Sequence, residues 1–267
     1  MMIMIKGEVK TGNTKTDYFR FGNGEKNLVI LPGLGIQRIN FSAKAVESAY
    51  ACFKEDYTVT VFDRRDDMPK DYTVEAMADD TALAMNALNI KNADLFGASM
   101  GGMIAQYVAI KYPEIVHSMI LASTLSRPNG RALEVMRSWT ELAEAGDAPE
   151  AARQMIKLLY SEKLAGQLLQ ATGMMFSGVS RQDLDRFIIQ ARAINSFDVY
   201  DRLGKIKCPV FVIGVEGDKV LTAEASRETA GKLGCELYMY GSEYAHCVFD
   251  EAPDYKQRMM DFYSSID

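Results

Sequence analysis

The chain has 267 residues, 48% hydrophobic and 25% charged, which is ordinary for a soluble globular protein and enough for one large domain. The net charge of −6 disfavours a nucleic-acid partner, because such a partner needs a face of clustered Lys and Arg. The four cysteines are scattered and only two histidines are present, so we expect reduced thiols, no structural zinc and a cytoplasmic location. The opening residues turn polar too soon for a signal peptide, and no apolar run is long enough for a membrane span, so we expect no membrane partner.

The order of predicted elements indicates an α/β fold. Two alternating stretches, IMIKGEV and KTDYFRF, predict a hairpin around residues 11–14. Short apolar runs then predict buried strands, in chain order NLVILPGLG, YTVTVFD, ADLFGAS, SMILAST, CPVFVIGVEGD and CELYMYG. Helical patterns lie between or after them, as in TVEAMADDTALAMNALNI, MGGMIAQYVAIKYP, TAEASRETAGKLG and the tail PDYKQRMMDFYSSI. This alternation predicts a mostly parallel central sheet with helices on both faces.

Residues 126–207 interrupt the alternation. They contain no good strand pattern, and a structureless loop of this length is uncommon inside a compact domain. Segments such as ALEVMRSWTELAEAG and RQDLDRFIIQARAIN have helical patterns, with Gly and Pro between them. We therefore predict a helical cap over residues 126–207, inserted into a core of residues 1–125 and 208–267.

A serine stands at a corner between a predicted strand and a predicted helix. Residues 97–101, GASMG, fit the pattern G-x-S-x-G, and Gly102 follows. A sharp turn of this kind strains the backbone of the serine, so the residues two before and two after it must be nearly free of side chain. It also directs the hydroxyl outward at the positive end of the helix. We predict that Ser99 is a nucleophile; the alternative is a strand-to-helix turn that contains a serine by chance.

A serine nucleophile needs a base, and the chain offers His117 and His246. Ser99 lies at the carboxyl end of its predicted strand. His117 leads into the next strand from the opposite edge of the sheet, where we expect a surface residue. His246 comes just after a strand that has run forward, so it reaches the edge where Ser99 lies. We predict His246 as the base; the alternative is a loop histidine without a catalytic role.

The base in turn needs an acid that also follows a strand. Asp218 does so, 28 positions before His246, and Glu216 is a neighbouring fallback. Asp63 reaches the same edge after another predicted strand, but we expect it to anchor its loop. With Asp218 as the acid, the chain order is Ser, Asp, His, the order of the α/β-hydrolase fold.

With these residues the chain resembles the α/β-hydrolase superfamily over nearly its whole length. It is similar to the esterase, enol-lactonase and non-haem-haloperoxidase-like group, whose turn around the serine reads G-x-S-M-G-G. The resemblance implies that LPGLG, residues 31–35, is the oxyanion loop, in which Gly33 allows close backbone approach and Pro32 replaces a common histidine. It further implies that the backbone amides of Leu34 and Met100 are the oxyanion donors. FDRRDDMP departs from the family's frequent Asp-x-Arg-Gly-x-Gly loop.

The resemblance implies hydrolysis of a small carboxylic ester or lactone through an acyl-enzyme, without a metal or cofactor. A carbon–carbon bond hydrolase or a perhydrolase with the same triad is an alternative, as is a slow or non-catalytic ligand-binding protein. Dinucleotide binding is disfavoured, because GLGIQR lacks the third glycine of that motif. An adaptable apolar pocket would be lined by bulky residues that otherwise belong to the core: Met103, Trp139, Met174, Met175 and Phe176.

Overall fold

The computed structural model describes residues 4–266, so the start of the first predicted alternating stretch, at Ile3, lies outside the described residues. Within them, eight strands form one sheet. In chain order they are β1 (Ile5–Thr11), β2 (Thr14–Phe21), β3 (Lys26–Leu31), β4 (Tyr57–Arg65), β5 (Ala93–Ala98), β6 (Val116–Ala122), β7 (Val210–Val215) and β8 (Glu236–Tyr240). Their order across the sheet is β1-β2-β4-β3-β5-β6-β7-β8. The pairs β1–β2 and β2–β4 are antiparallel and the others are parallel, which confirms the predicted hairpin and the mostly parallel sheet.

Helices surround the sheet. Those found between residues 4 and 266 are α1 (Ala43–Ala49), α2 (Val74–Ala87), α3 (Met100–Lys111), α4 (Gly130–Glu144), α5 (Ala148–Leu159), α6 (Glu162–Phe176), α7 (Arg181–Ile194), α8 (Ala223–Leu233), α9 (Val248–Glu251) and α10 (Tyr255–Ser265). Two of them, α1 and α9, are absent from the sequence prediction, because helices of seven and four residues are too short to show a periodic pattern. None of the helices in this described range has both the length and the apolar character needed to cross a bilayer.

Burial on both faces explains the apolar strands. Every residue of β5 and of β7 is buried. One apolar cluster joins the sheet to α2, α3 and α8, and a second joins it to α1 and α10. Parallel strands covered by helices on both faces have no solvent-facing side, so their sequences read as continuous apolar runs rather than alternating ones.

Four helices, α4 to α7, lie between β6 and β7, where the sequence predicts helices without strands. The buried apolar residues of α4, α5 and α7 belong to the same apolar cluster as the sheet, and Phe176 of α6 packs against that cluster. Hydrogen bonds tie this segment to the C-terminal part of the chain; among them, the amide of Cys247 donates to the carbonyl of Leu159 (2.8 Å), and Glu251 accepts from the amide of Ser161 (2.9 Å). The division into core and cap at residues 126–207 stays a prediction.

The first turn of α3 approaches β3 so closely that only glycine fits at position 101. A Cβ atom on Gly101 would lie 1.8 Å from the carbonyl oxygen of Leu31, a backbone atom that no rotamer change can move. We expect Gly101→Ala to lower the melting temperature by about 5 °C or more, because overpacking costs about 1–3 kcal/mol and often more against backbone.

Gly231→Ala is the matched control, since Gly231 lies in α8 with nothing within 4 Å of an added Cβ. There we expect no loss of stability, or a gain of up to about 1 kcal/mol, because alanine favours the helix. Thermal unfolding followed by circular dichroism gives both values. Equal melting temperatures for the two variants would contradict the packing account.

Candidate active site

Ser99 occupies a strained turn between β5 and α3. Its backbone has φ 52° and ψ −121°, a left-handed region that non-glycine residues rarely adopt and that costs of order 1–3 kcal/mol. Two hydrogen bonds hold this conformation. The amide of Ser99 donates to the carbonyl of Ala122 (2.9 Å), and the hydroxyl of Thr124 donates to the carbonyl of Ser99 (2.7 Å). The side chain of Ser99 is partly exposed and lines a cavity at the carboxyl edge of the sheet.

The small residues around Ser99 are required by close backbone contacts. A Cβ atom on Gly97 would lie 2.7 Å from the carbonyl oxygen of Gly101, and one on Gly102 would lie 2.7 Å from the Cβ of Thr124. These distances are too short for real Cβ atoms. The G-x-S-x-G spacing is therefore a packing requirement of the turn, in addition to any chemical role.

His246 and Asp218 form a buried pair beside this turn. The Nδ1 of His246 lies 2.9 Å from the Oδ2 of Asp218, and both side chains are almost fully buried. Asp218 follows β7 and His246 follows β8, so the ends of two parallel strands bring them together although they are far apart in sequence. The second oxygen of Asp218 accepts from the amides of Val220 (2.8 Å) and Leu221 (2.9 Å).

These contacts keep Asp218 ionised. Burial acts against the charged form, but the charge and hydrogen bond of His246, together with the amides of Leu221 and Val220, outweigh it and hold the pKa of Asp218 below its usual value. An ionised Asp218 accepts a hydrogen bond from the Nδ1–H group of His246, and in that tautomer Nε2 carries the free lone pair.

The Nε2 atom of His246 is buried and has no hydrogen-bond partner among residues 4–266. Its ring and Ser99 line the same cavity, but the hydrogen bond between Ser99 and Nε2 is not made in this structure. Such catalytic hydrogen bonds are often long until a substrate is bound. His246 thus lines the cavity with one ring nitrogen held by Asp218 and the other without a partner among the described residues.

The remaining candidates for base and acid do not pair with Ser99 or His246. His117 is the second residue of β6, at the opposite edge of the sheet, where its Nδ1 lies 2.9 Å from a carboxylate oxygen of Asp94. Glu216 forms an exposed ion pair with Arg227 and does not contact His246. Asp63 is buried and anchors its surroundings, accepting from the amide of Ile39 (3.2 Å).

The cavity has a volume of about 360 Å³ and a largely apolar wall. Trp139 of α4 and Phe176 of α6 contribute to it, together with Gly33 and Leu34 of the loop after β3. Further apolar side chains come from α4, α5 and α7 and from the loop after β7: Met136, Met155, Ile156, Leu159, Ile194, Val220 and Leu221.

Three residues that the sequence assigns to the pocket do not line this cavity. Met103 is fully buried in the packing of α3 against the sheet. Met174 and Met175 are 80% and 38% exposed, because the last turn of α6 directs them to solvent while the adjacent Phe176 faces inward. Helical periodicity predicts which residues share a face, but it does not tell which face a cap helix turns toward the cavity.

Gly33 lies beside Ser99, and Leu34 follows it in the same loop. A Cβ atom on Gly33 would stand 3.1 Å from the Cβ of Ser99 and 3.7 Å from its Oγ, so the loop after β3 touches the serine. Met100 is the first residue of α3, and its amide has no partner within the helix, as is usual for the first turn. These are the positions from which two amides could reach an oxyanion next to Ser99.

The sequence singles out Asp63 but not the other polar and charged residues around it in the cavity wall. Asp63 and Arg64 of β4 and Arg186 and Gln190 of α7 all line the cavity and are all buried. The FDRRDDMP stretch signalled an unusual loop at β4, but nothing in the sequence connected it with α7, more than 120 residues later. In residues 4–266, no group of three or more His, Cys, Asp or Glu is arranged to hold a metal ion.

The family of the chain follows from its fold, its site and one sequence match. Residues 26–253 match the family model described as alpha/beta hydrolase fold, and the chain belongs to this family. The chain is 24% identical over 253 residues to a protein of Pseudomonas savastanoi pv. phaseolicola named as a carbamate hydrolase, RutD; the match covers 88% of this chain and 92% of the relative.

Solved structures share the fold over nearly the whole chain. MGS-M2, an alpha/beta hydrolase enzyme from a Medee basin deep-sea metagenome library, has a TM-score of 0.86 and 20% identity over 97% of both chains. The enol-lactonase from Burkholderia xenovorans LB400 has a TM-score of 0.82 and 19% identity, covering 97% of this chain and 100% of the other. With the family match, the chain is a hydrolase enzyme of the α/β-hydrolase superfamily.

Proposed function

We propose that the protein is a serine hydrolase that cleaves a small carboxylic ester or lactone. The observation that carries the proposal is the buried pair of His246 and Asp218: His246 lines the same cavity as Ser99 on its strained turn, and its Nε2 has no partner among the described residues. A nucleophile, a base and a group that orients the base are the three parts that acyl transfer by a serine needs.

In the proposed mechanism, Ser99 Oγ attacks the carbonyl carbon of the substrate while His246 Nε2 takes the hydroxyl proton. Asp218 holds the ring through Nδ1 and stabilises the imidazolium that forms. The amides of Leu34 and Met100 hold the developing oxyanion, each such donor being worth about 3 kcal/mol of barrier. His246 then gives the proton to the leaving oxygen, and water, activated by the same ring, cleaves the acyl-enzyme.

The cavity supports a small substrate with an apolar part. Its volume of about 360 Å³ lies at the low end of the range for ligand pockets, roughly 300–1,000 Å³. Trp139 and Phe176 lie on helices between β6 and β7, so we propose that these helices form the substrate-selecting cap. Solved relatives described as an enol-lactonase and as an N-acyl homoserine lactone degrading enzyme support an ester or lactone carbonyl.

The thiols support a reducing location. Cys52, Cys208, Cys235 and Cys247 are all free. Burial raises the pKa of the Cys247 thiol well above its usual value, so it stays protonated beside the active-site histidine rather than competing as a nucleophile. We propose a cytoplasmic enzyme.

Replacement of the nucleophile tests the proposal. We expect a fluorophosphonate to add one label to the wild-type chain, on Ser99, and 4-nitrophenyl butyrate to be hydrolysed. Ser99→Ala should remove the label and lower kcat by about 10⁴-fold or more. Peptide mass spectrometry and steady-state kinetics give the two readouts.

Ser123→Ala is the matched control. Ser123 also has a left-handed φ, 42°, and it directly follows the neighbouring strand β6, but it is buried and does not line the cavity. This variant should keep both label and activity. A label on another residue, or full activity in Ser99→Ala, would contradict the mechanism.

Substitutions of two carboxylates that lie two residues apart test which one is the acid that orients His246. Asp218→Asn should favour the wrong tautomer of His246 and lower kcat by about 10³- to 10⁴-fold, with little change in KM. Glu216→Gln should leave kcat within about twofold, because Glu216 pairs with Arg227 at the surface. Equal losses in the two variants, or none in either, would remove Asp218 from the mechanism.

A further inference from the structure

Arg64 is a buried arginine in the wall of the cavity. Its side chain is 4% exposed, and its Nη2 donates to the carbonyl of Pro32. Its Nε is buried and has no hydrogen-bond partner in the part of the chain that the structure describes. Its Nη1 also makes no hydrogen bond to the described residues and, unlike Nε, is not fully buried, so it can donate into the cavity that Arg64 lines.

The other charged groups in the cavity wall have partners. Arg186 lies 3.2 Å from the Oδ1 of Asp63, and Arg38 pairs with Asp66. Asp63 is fully engaged, because its Oδ1 also accepts from the backbone amide of Arg64 (2.7 Å) and its Oδ2 accepts from Ile39.

Asp250, on the side of the cavity nearest His246, is the remaining acidic group. It accepts from the hydroxyl of Tyr160 (3.3 Å), and burial raises its pKa. Between residues 4 and 266, no carboxylate lies within ion-pair distance of the Arg64 guanidinium.

Burying a cation without a carboxylate partner costs free energy, so the position of Arg64 in the cavity wall needs an explanation. Burial lowers the pKa of Arg64, although the nearby charge of Asp63 acts in the opposite direction, and an arginine keeps its charge at neutral pH. One bond to Pro32 satisfies one of five N–H groups, so support of the loop after β3 does not account for the rest. An anion in the cavity would satisfy both the charge and the free donors.

We propose that Arg64 is the anchor of a carboxylate subsite, and that the substrate carries a carboxylate group in addition to the carbonyl that Ser99 attacks. This inference rests on the proposed function and names its substrate class. Pro32, which Arg64 holds, directly precedes Gly33, and Gly33 touches Ser99. The carboxylate of the substrate therefore lies only a few carbon atoms from its reacting carbonyl.

The turnover test compares two esters that differ only in charge, mono-4-nitrophenyl glutarate and its methyl-capped form, methyl 4-nitrophenyl glutarate. The wild type should prefer the free acid in kcat/KM by about 10- to 100-fold, the size of a charge-assisted hydrogen bond. Arg64→Met should abolish this preference, mainly through KM of the acid. A purely structural Arg64 would slow both esters equally and leave the ratio unchanged.

Arg65→Met is the matched control, because Arg65 is the next residue and its side chain pairs with Asp67 and Asp80 outside the cavity. The preference should persist in it, and Arg64→Lys should restore part of the preference by returning the charge. A wild-type enzyme that hydrolyses both esters at the same kcat/KM would overturn the subsite and leave the proposed function standing.

A binding test makes the inference independent of turnover. Calorimetry on Ser99→Ala should show monomethyl glutarate binding at least tenfold more tightly than dimethyl glutarate, with the difference lost in the double variant that also carries Arg64→Met. Failure of the serine mechanism would leave this difference intact. Equal binding of the two compounds to Ser99→Ala would overturn the subsite.

Discussion

The backbone of Ser99 is held at φ 52° and ψ −121°, and the other parts of the site are arranged around that turn. An L-residue in this region stores of order 1–3 kcal/mol, so surrounding contacts must over-determine it. The amide of Ser99 is bound by the end of β6, its carbonyl by Thr124, and the glycines on either side allow α3 to contact β3. Hydrogen bonds of about 1 kcal/mol each, together with close packing, are sufficient to offset the strain.

The same turn determines what can lie beside the hydroxyl. Because β3, β5, β7 and β8 are parallel, the segments that follow them emerge at one edge, and each brings one component. The loop after β3 brings Gly33 against the serine, the loop after β7 brings Asp218, and the segment after β8 brings His246. Burial of the Asp218–His246 pair excludes water from it, which makes the interaction between the two side chains strong and orients the ring.

Much of this arrangement could be predicted from the sequence, because it follows from strand direction. Continuous apolar runs indicated the parallel sheet, and the position of each polar residue after a strand placed Asp218 and His246 at the edge of Ser99 and His117 at the other. The helices between β6 and β7 could not be oriented in this way. Met174 and Met175 turned out to face solvent while Phe176 lines the cavity, a difference of one helical position.

Arg64 and Arg186 illustrate a second limit of prediction from the sequence. The contact between them depends on how α7 packs over β4, and no local pattern in the sequence encodes that packing. A buried charge is also unexpected from composition, since arginine is mostly exposed in proteins. Only the structure shows that the cation of Arg186 is paired and that of Arg64 is not.

The most direct measurement of the central claim is a crystal structure of the chain after reaction with a fluorophosphonate. The phosphonyl group imitates the tetrahedral intermediate, so the account predicts a bond from phosphorus to Ser99 Oγ and an unchanged left-handed turn. The phosphonyl oxygen should lie about 2.7–3.1 Å from the amides of both Leu34 and Met100. A phosphonyl oxygen directed away from these amides, or a serine turn that relaxes to an ordinary backbone conformation in the adduct, would contradict the account.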